Sequence, residues 1–367
     1  MTKQRIRRIF GKAGLAGITP DSILFANSAG EEQNFFYSTG IGGGVFEASY
    51  CAVFPDGGGT AIVPALERAI AERELPPNIN LECYSDNSGF EAALKKALAG
   101  KKSIGLNFDY LKMGAYRRIT GLLGPRKFAD VSEAVRAARL VKEPAEISLI
   151  REACRISEEA LSAVLEGRGV RKGTTETQLA ARLDYEMSSR GGQPAFHTIV
   201  AFGANSAEPH HTPGNRRLKA GDIVLADFGA RRKRYCSDTT RVMSCGRPGA
   251  RIREMHEAVL EARRRALGAA TPGGDAAAVH DAARDAIDAR GFTGKFIHST
   301  GHALGLEVHD GPGFSSHHFR LEKGMVFTVE PGIYVRGTGG IRIEDDIVIG
   351  GPKPRILTRF PREIIEI

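Results

Sequence analysis

Four carboxylates and one imidazole carry the strongest chemical signal in this 367-residue chain. Asp227 stands in the apolar run IVLADFG and Glu330 in VFTVEPG, and each is followed by a second acid, Asp238 in CSDTTRV and Glu344 in IRIEDDIVI. An ionised carboxylate in or beside a buried strand is costly unless a cation or dense hydrogen bonding compensates it. Four converging carboxylates repel one another, and a pair of divalent cations relieves that repulsion. His302, within HSTGHALGLEVHD (298–310), supplies a nitrogen donor, and Gly301 and Gly305 beside it allow close backbone approach. One imidazole with four carboxylates is a hard, oxygen-rich set that suits Mn²⁺ best and tolerates Co²⁺ or Zn²⁺. Two such ions about 3.5–4 Å apart share a water, lower its pKa to about 7 and aim it at a polarised carbonyl. That is hydrolytic chemistry.

Other side chains fall into place around this set. His210, in NSAEPHHTPG, precedes the first acid-bearing strand much as His309 precedes the second, so both are candidate donors to the substrate or to a developing oxyanion. Arg342 lies two residues before Glu344 and projects to the same face, where it steadies a metal-binding carboxylate or meets a substrate carboxylate. Alternation along a strand turns Asp345 away from the site and leaves Asp346 on the face of Glu344 as a secondary candidate. His211, His317 and His318 have no counterpart in the repeat and carry no expected role.

The elements that must position these residues are themselves duplicated. At an offset of 100, GTTETQLAARLDYEMSSRGG (173–192) overlays GGDAAAVHDAARDAIDARGF (273–292), a turn and helix in each copy. At an offset of 103, LKAGDIVLADFG (218–229) overlays LEKGMVFTVEPG (321–332), so that Asp227 matches Glu330. Thr175 and Gln178 form a capping box for the first helix. Each acid pair then reads as a β-hairpin with one carboxylate per arm, the two hairpins related by a pseudo-twofold axis. Ahead of the repeat, Pro144 opens a helix whose apolar residues recur at helical spacing. The first 140 residues alternate in α/β fashion. SILFAN, NFFYSTG, ASYCAVF and TAIVPAL read as strands, while FEAALKKALAG and YLKMGAYRRITGLLG read as helices. The expected division is 1–140 and 141–367.

Composition narrows the classes. With 42% apolar and 26% charged residues the chain is neither disordered nor a membrane bundle, and no run of about 18 apolar residues exists to span a bilayer. The basic N-terminus is interrupted by Lys12 and by glycines, and residues 1–20 read as an amphipathic helix, not a leader. Five widely spaced cysteines without a CxxC pair suggest reduced thiols and a cytoplasmic location. The net charge of +8 invites a nucleic-acid partner. No aromatic platform or nucleic-acid motif accompanies it, and its clusters RRKR (231–234) and RRR (263–265) read as a turn and an exposed helical face. The expectation is no nucleic acid and no membrane partner.

At these motifs the sequence resembles the metallopeptidase family that contains prolidase, aminopeptidase P, methionine aminopeptidase and creatinase. The match runs almost continuously over residues 140–367, through PHHTPG, GDIVLADFGARRKRYCSDTTRV, HSTGHALGLEVHD, GMVFTVEPGIY and GGIRIEDDIVI. The resemblance implies an α+β pita-bread catalytic domain with an internal pseudo-twofold repeat, preceded by a creatinase-type α/β domain. It places the family's metal ligands on Asp227, Asp238, His302, Glu330 and Glu344, the set reached from the repeat. It makes His210 and His309 catalytic or substrate-contacting, and makes Glu330 the carboxylate that takes and returns the proton. It further implies short proline-containing peptides as substrates and a homodimer. Creatinase lacks this metal set, which argues against an amidinohydrolase or a non-catalytic binding protein on the same fold. Between an Xaa-Pro dipeptidase and an aminopeptidase on longer peptides, the compact ending ILTRFPREIIEI favours the dipeptidase, with Arg342 and Arg336 as candidates to meet the proline carboxylate. Asp310 stands where many members have Glu, and FSSHHF replaces a proline-rich stretch.

Overall fold

A computed structural model describes residues 2–28, 32–167, 169–315 and 318–367. Two compact units divide at Arg139 and Leu140. In the first, helix α1 (Thr2–Leu15) precedes β1 (Ser22–Asn27), α2 (Gln33–Thr39), β2 (Ser49–Val53), β3 (Gly59–Pro64), α3 (Arg68–Glu74), β4 (Ile79–Tyr84), α4 (Asn87–Ala97), β5 (Ser103–Leu106), α5 (Met113–Leu123) and β6 (Lys127–Asp130). The six strands form one mixed sheet in the order β4-β3-β2-β1-β5-β6. Helix α6 (Ser132–Leu140) follows.

One segment departs from its expected state. NFFYSTG is helical, as α2, not a strand: the Glu32 side chain accepts from the Asn34 N–H at its start, and Gly40 closes it in the left-handed region at φ 75°. All seven residues of α2 are buried. A helix buried on every side shows no amphipathic period, so its aromatic run looked like a strand.

The second unit is built twice. Helices α7 (Pro144–Glu166) and α8 (Glu176–Ser189) precede β7 (Gln193–Pro194), β8 (Ile199–Phe202), β9 (Ile223–Phe228), β10 (Ala230–Arg232), β11 (Tyr235–Cys236) and β12 (Thr239–Ser244). Helices α9 (Ala250–Ala269) and α10 (Ala276–Ala289) then precede β13 (Val326–Val329), β14 (Gly332–Val335), β15 (Gly339–Arg342) and β16 (Asp345–Val348), with short strands β17 (Arg355–Ile356) and β18 (Ile365–Glu366) at the end. Pro144 occupies the first turn of α7, and Thr175 and Gln178 make the reciprocal capping bonds of α8. Each half buries its own apolar cluster. Leu161, Leu183, Val200, Phe202 and Phe228 pack in the first, and Val259, Ile287, Phe327, Ile341 and Ile347 in the second.

Both hairpins break into two ladders near the acids. In the first half β9 pairs antiparallel with β12, placing Asp227 opposite Thr240, while β10 pairs with β11. In the second, β13 pairs with β16 and β14 with β15. Asp238 lies just before β12, Glu330 just after β13, and Glu344 between β15 and β16. Three of the four acids therefore sit at the interruptions, where the alternation of faces is suspended and their side chains can turn to one point.

The basic clusters have more specific places than an exposed face. Lys233 and Arg234 form the two-residue β10–β11 turn with positive φ of 44° and 71°, the backbone that a tight hairpin of this length requires. Arg232 meets Glu152 at 2.9 Å. In RRR (263–265), Arg264 and Arg265 pair with Glu261 on the surface, but Arg263 turns inward to the fully buried Asp345. That corrects the expectation of a wholly exposed cluster: a buried carboxylate, out of sight in the linear sequence, claims the arginine. Among the described residues, no helix is long and apolar enough to cross a membrane.

Candidate metal centre and active site

The five expected ligands converge on the wall of one cavity of about 460 Å³, together with His210, His309 and Arg342. His302 stands 3.6 Å from Asp238 and 3.4 Å from Glu330, measured from Nε2 to the nearer carboxylate oxygen. Donor atoms of Asp238, His302 and Glu344 lie within 4.8 Å of one another. Backbone bonds hold the motif loop against β13: Thr328 donates its N–H to the His302 carbonyl at 2.9 Å, and Glu330 to the Thr300 carbonyl at 2.8 Å. A Cβ on Gly301 would overlap the Thr328 carbonyl, and one on Gly305 would overlap the Asp310 carboxylate. Both glycines are thus required by close approach.

The two halves are joined across the centre. The Glu344 N–H reaches the Thr240 carbonyl, and the Thr240 hydroxyl donates to Glu344 Oε2 at 2.6 Å. Arg342 donates from Nη2 to Asp227 at 2.6 Å, from Nη1 to the Tyr334 hydroxyl at 2.8 Å and from Nε to Thr240 Oγ1 at 2.9 Å. Of its two expected roles, steadying a carboxylate is the one its contacts occupy.

The electrostatics are those of a cation site. Asp238 and Glu344 are pushed well above the ordinary carboxylate range by burial and then by neighbouring acids. Burial likewise raises Glu330. Asp227 Oδ1 and Asp238 Oδ1 are buried without a hydrogen-bond partner. Orphaned oxygens in a crowd of buried acids are unfavourable on their own and suited to divalent cations. His302 and His309 are held below the usual imidazole range, chiefly by burial, which favours the neutral ring, the form whose nitrogen can bind a metal.

Asp345 turns away from the site as expected, but Asp346 does not share the cavity face of Glu344, because Glu344 lies at the break between β15 and β16 where alternation does not carry through. Burial would raise Asp345, but Arg241, Arg263 and Arg362 outweigh it and hold the carboxyl below its ordinary value. Asp346 sits behind the wall, accepting from the Asp238 N–H at 3.0 Å and the Cys154 thiol at 3.2 Å. His318 pairs with Asp275 at 2.8 Å on the surface, and His317 lies outside the described residues.

One member of the site escaped the sequence reading. His298 lines the cavity, with Nδ1 2.8 Å from the Ser299 carbonyl and Nε2 2.9 Å from the Tyr334 hydroxyl. The carbonyl can only accept, so Nδ1 carries the proton and Nε2 accepts from Tyr334, which in turn accepts from Arg342. His298 was visible as the first histidine of its motif, but its partner is 36 residues away. Near His309, Lys142 and Asp310 form an ion pair at 3.2 Å with side chains 1% and 3% exposed. Lys142→Met strands a buried charge and is expected to lower stability by about 3–5 kcal/mol in urea denaturation. A wild-type midpoint and slope would refute this account of the pair.

Fold and site together define a pita-bread metallopeptidase. Residues 148–350 match the model of metallopeptidase family M24, and residues 4–141 match the creatinase/prolidase N-terminal domain. The chain belongs to metallopeptidase family M24. It is 38% identical over 308 residues to an Xaa-Pro dipeptidase of Pyrococcus horikoshii, covering 83% of this chain and 85% of that protein. Among solved structures, an X-Pro aminopeptidase from Thermotoga maritima is 35% identical with a TM-score of 0.89, covering 97% of this chain and 100% of that one. An Xaa-Pro dipeptidase from Bacillus anthracis is 30% identical with a TM-score of 0.90 over the full length of both.

Proposed function

We propose that this protein hydrolyses the bond preceding proline in Xaa-Pro dipeptides, using two divalent cations, Mn²⁺ preferred, held by Asp227, Asp238, His302, Glu330 and Glu344. The observation that carries this reading is the convergence of four buried or half-buried acids on His302 with two carboxylate oxygens left unpartnered. When bound, the cations would supply Lewis acidity and a water acidic enough to attack at neutral pH. The chain's own residues do the rest. Glu330, raised by burial, takes a proton from the attacking water and returns it to the leaving proline nitrogen. His309 and His210 donate to the oxygen of the scissile carbonyl as charge develops there. Thr328 Oγ1 holds Glu330 Oε1 at 3.1 Å, and Arg342 holds Asp227, so neither carboxylate needs to reorient during reaction. Phe196, Ile199 and Val308 give the cavity an apolar side for the proline ring.

One observation favours a second reading, an aminopeptidase acting on longer Xaa-Pro peptides. Arg342 is the single guanidinium or ammonium among the described residues that line the cavity, and its three donor nitrogens are engaged with Asp227, Tyr334 and Thr240. Arg336, the other candidate for the proline carboxylate, is exposed beyond the end of β14. Turnover of one Xaa-Pro dipeptide and the matching Xaa-Pro tripeptide, each with Mn²⁺ and with Co²⁺, decides between them. The dipeptide is expected to be cleaved faster, and complete chelation is expected to abolish both activities. Faster cleavage of the tripeptide would establish the aminopeptidase, and turnover that survives chelation would overturn both. A cytoplasmic homodimer completes the proposal, checked by light scattering and fractionation.

A further inference from the structure

We propose that His211 is a positioning residue for His210: clamped between Glu176 and Glu208, it fixes the loop that carries His210 to the mouth of the cavity. The inference rests on the preceding reading in one respect, that His210 contacts substrate.

The clamp is centred on Glu176, at the start of α8, whose side chain is fully buried. Its carboxylate accepts from four donors: the Phe202 N–H at 2.8 Å, Asn205 Nδ2 at 2.9 Å, the Gly214 N–H at 3.0 Å and His211 Nε2 at 3.0 Å. One carboxylate thereby gathers the end of β8, the following turn and the far side of the loop. The other ring nitrogen, His211 Nδ1, meets Glu208 at 3.0 Å. Both nitrogens face acids, the arrangement of a doubly protonated imidazole. Burial opposes that charge, but the hydrogen bonds to Glu176 and Glu208 outweigh it and hold the ring above its ordinary pKa. These two acids are the charged groups that act on His211, one from α8 and one from its own loop.

His210 itself is exposed and makes no side-chain hydrogen bond among the described residues. Its placement must therefore come from its neighbours. On one side the Pro209 carbonyl accepts from Arg342 at 3.5 Å, and Ser206 Oγ accepts from the Gly340 N–H at 2.8 Å. On the other side stands the His211 clamp. A loop tied at both flanks of a free imidazole presents that ring in one place without occupying its nitrogens, as a substrate donor requires.

The test uses the metal-loaded protein and an Xaa-Pro dipeptide. His211→Leu is expected to lower kcat about tenfold with a smaller change in KM, the scale of losing charge-assisted hydrogen bonds. His211→Gln, whose amide nitrogen can stand in for Nε2, is expected to recover most of that loss. In a His210→Ala background, His211→Leu is expected to add nothing further, since the residue it positions is gone. Equal effects in both backgrounds, or a wild-type kcat for His211→Leu, would overturn the proposal. Amide hydrogen exchange over residues 203–214, with metal withheld, reads the clamp without any peptide. His211→Leu is expected to speed exchange there about tenfold, and unchanged exchange would overturn the clamp. If the wild type cleaves no Xaa-Pro peptide while the exchange difference is present, the functional reading fails and the clamp stands.

Discussion

Asp238→Asn is expected to abolish metal-dependent hydrolysis, by about 10³-fold or more, while making the metal-free protein more stable at neutral pH. Burial and the charges of Glu344 and Asp227 push the Asp238 carboxyl well above its ordinary value, and Glu344 is displaced in the same direction. Between the ordinary carboxylate pKa of about 4 and the raised value, the native state retains protons that the unfolded chain has released. Stability of the metal-free protein must then fall as pH rises through that window, because folding requires either a bound proton or a buried, repelled charge. Asparagine removes one such charge. Thermal unfolding in chelator from pH 4 to 8 should show a declining melting temperature for the wild type and a flatter curve for the variant, at about 2–4 °C per kcal/mol for a domain of this size. Added Mn²⁺ should raise the wild type and leave the variant nearly unmoved. Identical pH profiles for the two proteins would refute the charge-crowding account.

The second large effect belongs to Arg342. Its guanidinium spans Asp227, Tyr334 and Thr240 with three separate nitrogens, a geometry that an ammonium on a flexible stem cannot reproduce. Arg342→Lys is expected to weaken Mn²⁺ binding by about 10–100-fold in calorimetric titration of the metal-free protein. Arg342→Ala also leaves the Asp227 carboxylate uncompensated and is expected to lower stability by about 3–5 kcal/mol. Wild-type Mn²⁺ affinity in the lysine variant would show that Asp227 needs no such support.

The duplication makes the converging acids legible in the sequence itself. Asp227 and Glu330 occupy the same place in two copies of one segment, and an acid recurring in an apolar strand has few physical explanations. His302 was legible because its glycines announce close packing, which the Thr328 carbonyl and the Asp310 carboxylate bear out. What stayed hidden depends on tertiary partners. The His298 ring orientation is set by Tyr334, and the order of the His210 loop by Glu176 from a helix 35 residues before His211. Arg263 looked like part of a solvated run until Asp345 was seen beneath it. Helix α2 was misread for a related reason: burial on all sides erases the periodicity by which a helix is recognised.

The bonds that join the two halves also say when the centre can come into being. Thr240 and Glu344 are 104 residues apart in the chain, and Asp238 and Asp346 are 108, whereas each helix pair and each hairpin closes over far shorter distances. Long loops are slow to close. The two halves can therefore each gather a core before the acids of one meet the acids of the other, and ions present during synthesis find a complete set of oxygens only at the final docking. Acquisition of metal would thus mark the end of folding, not its beginning.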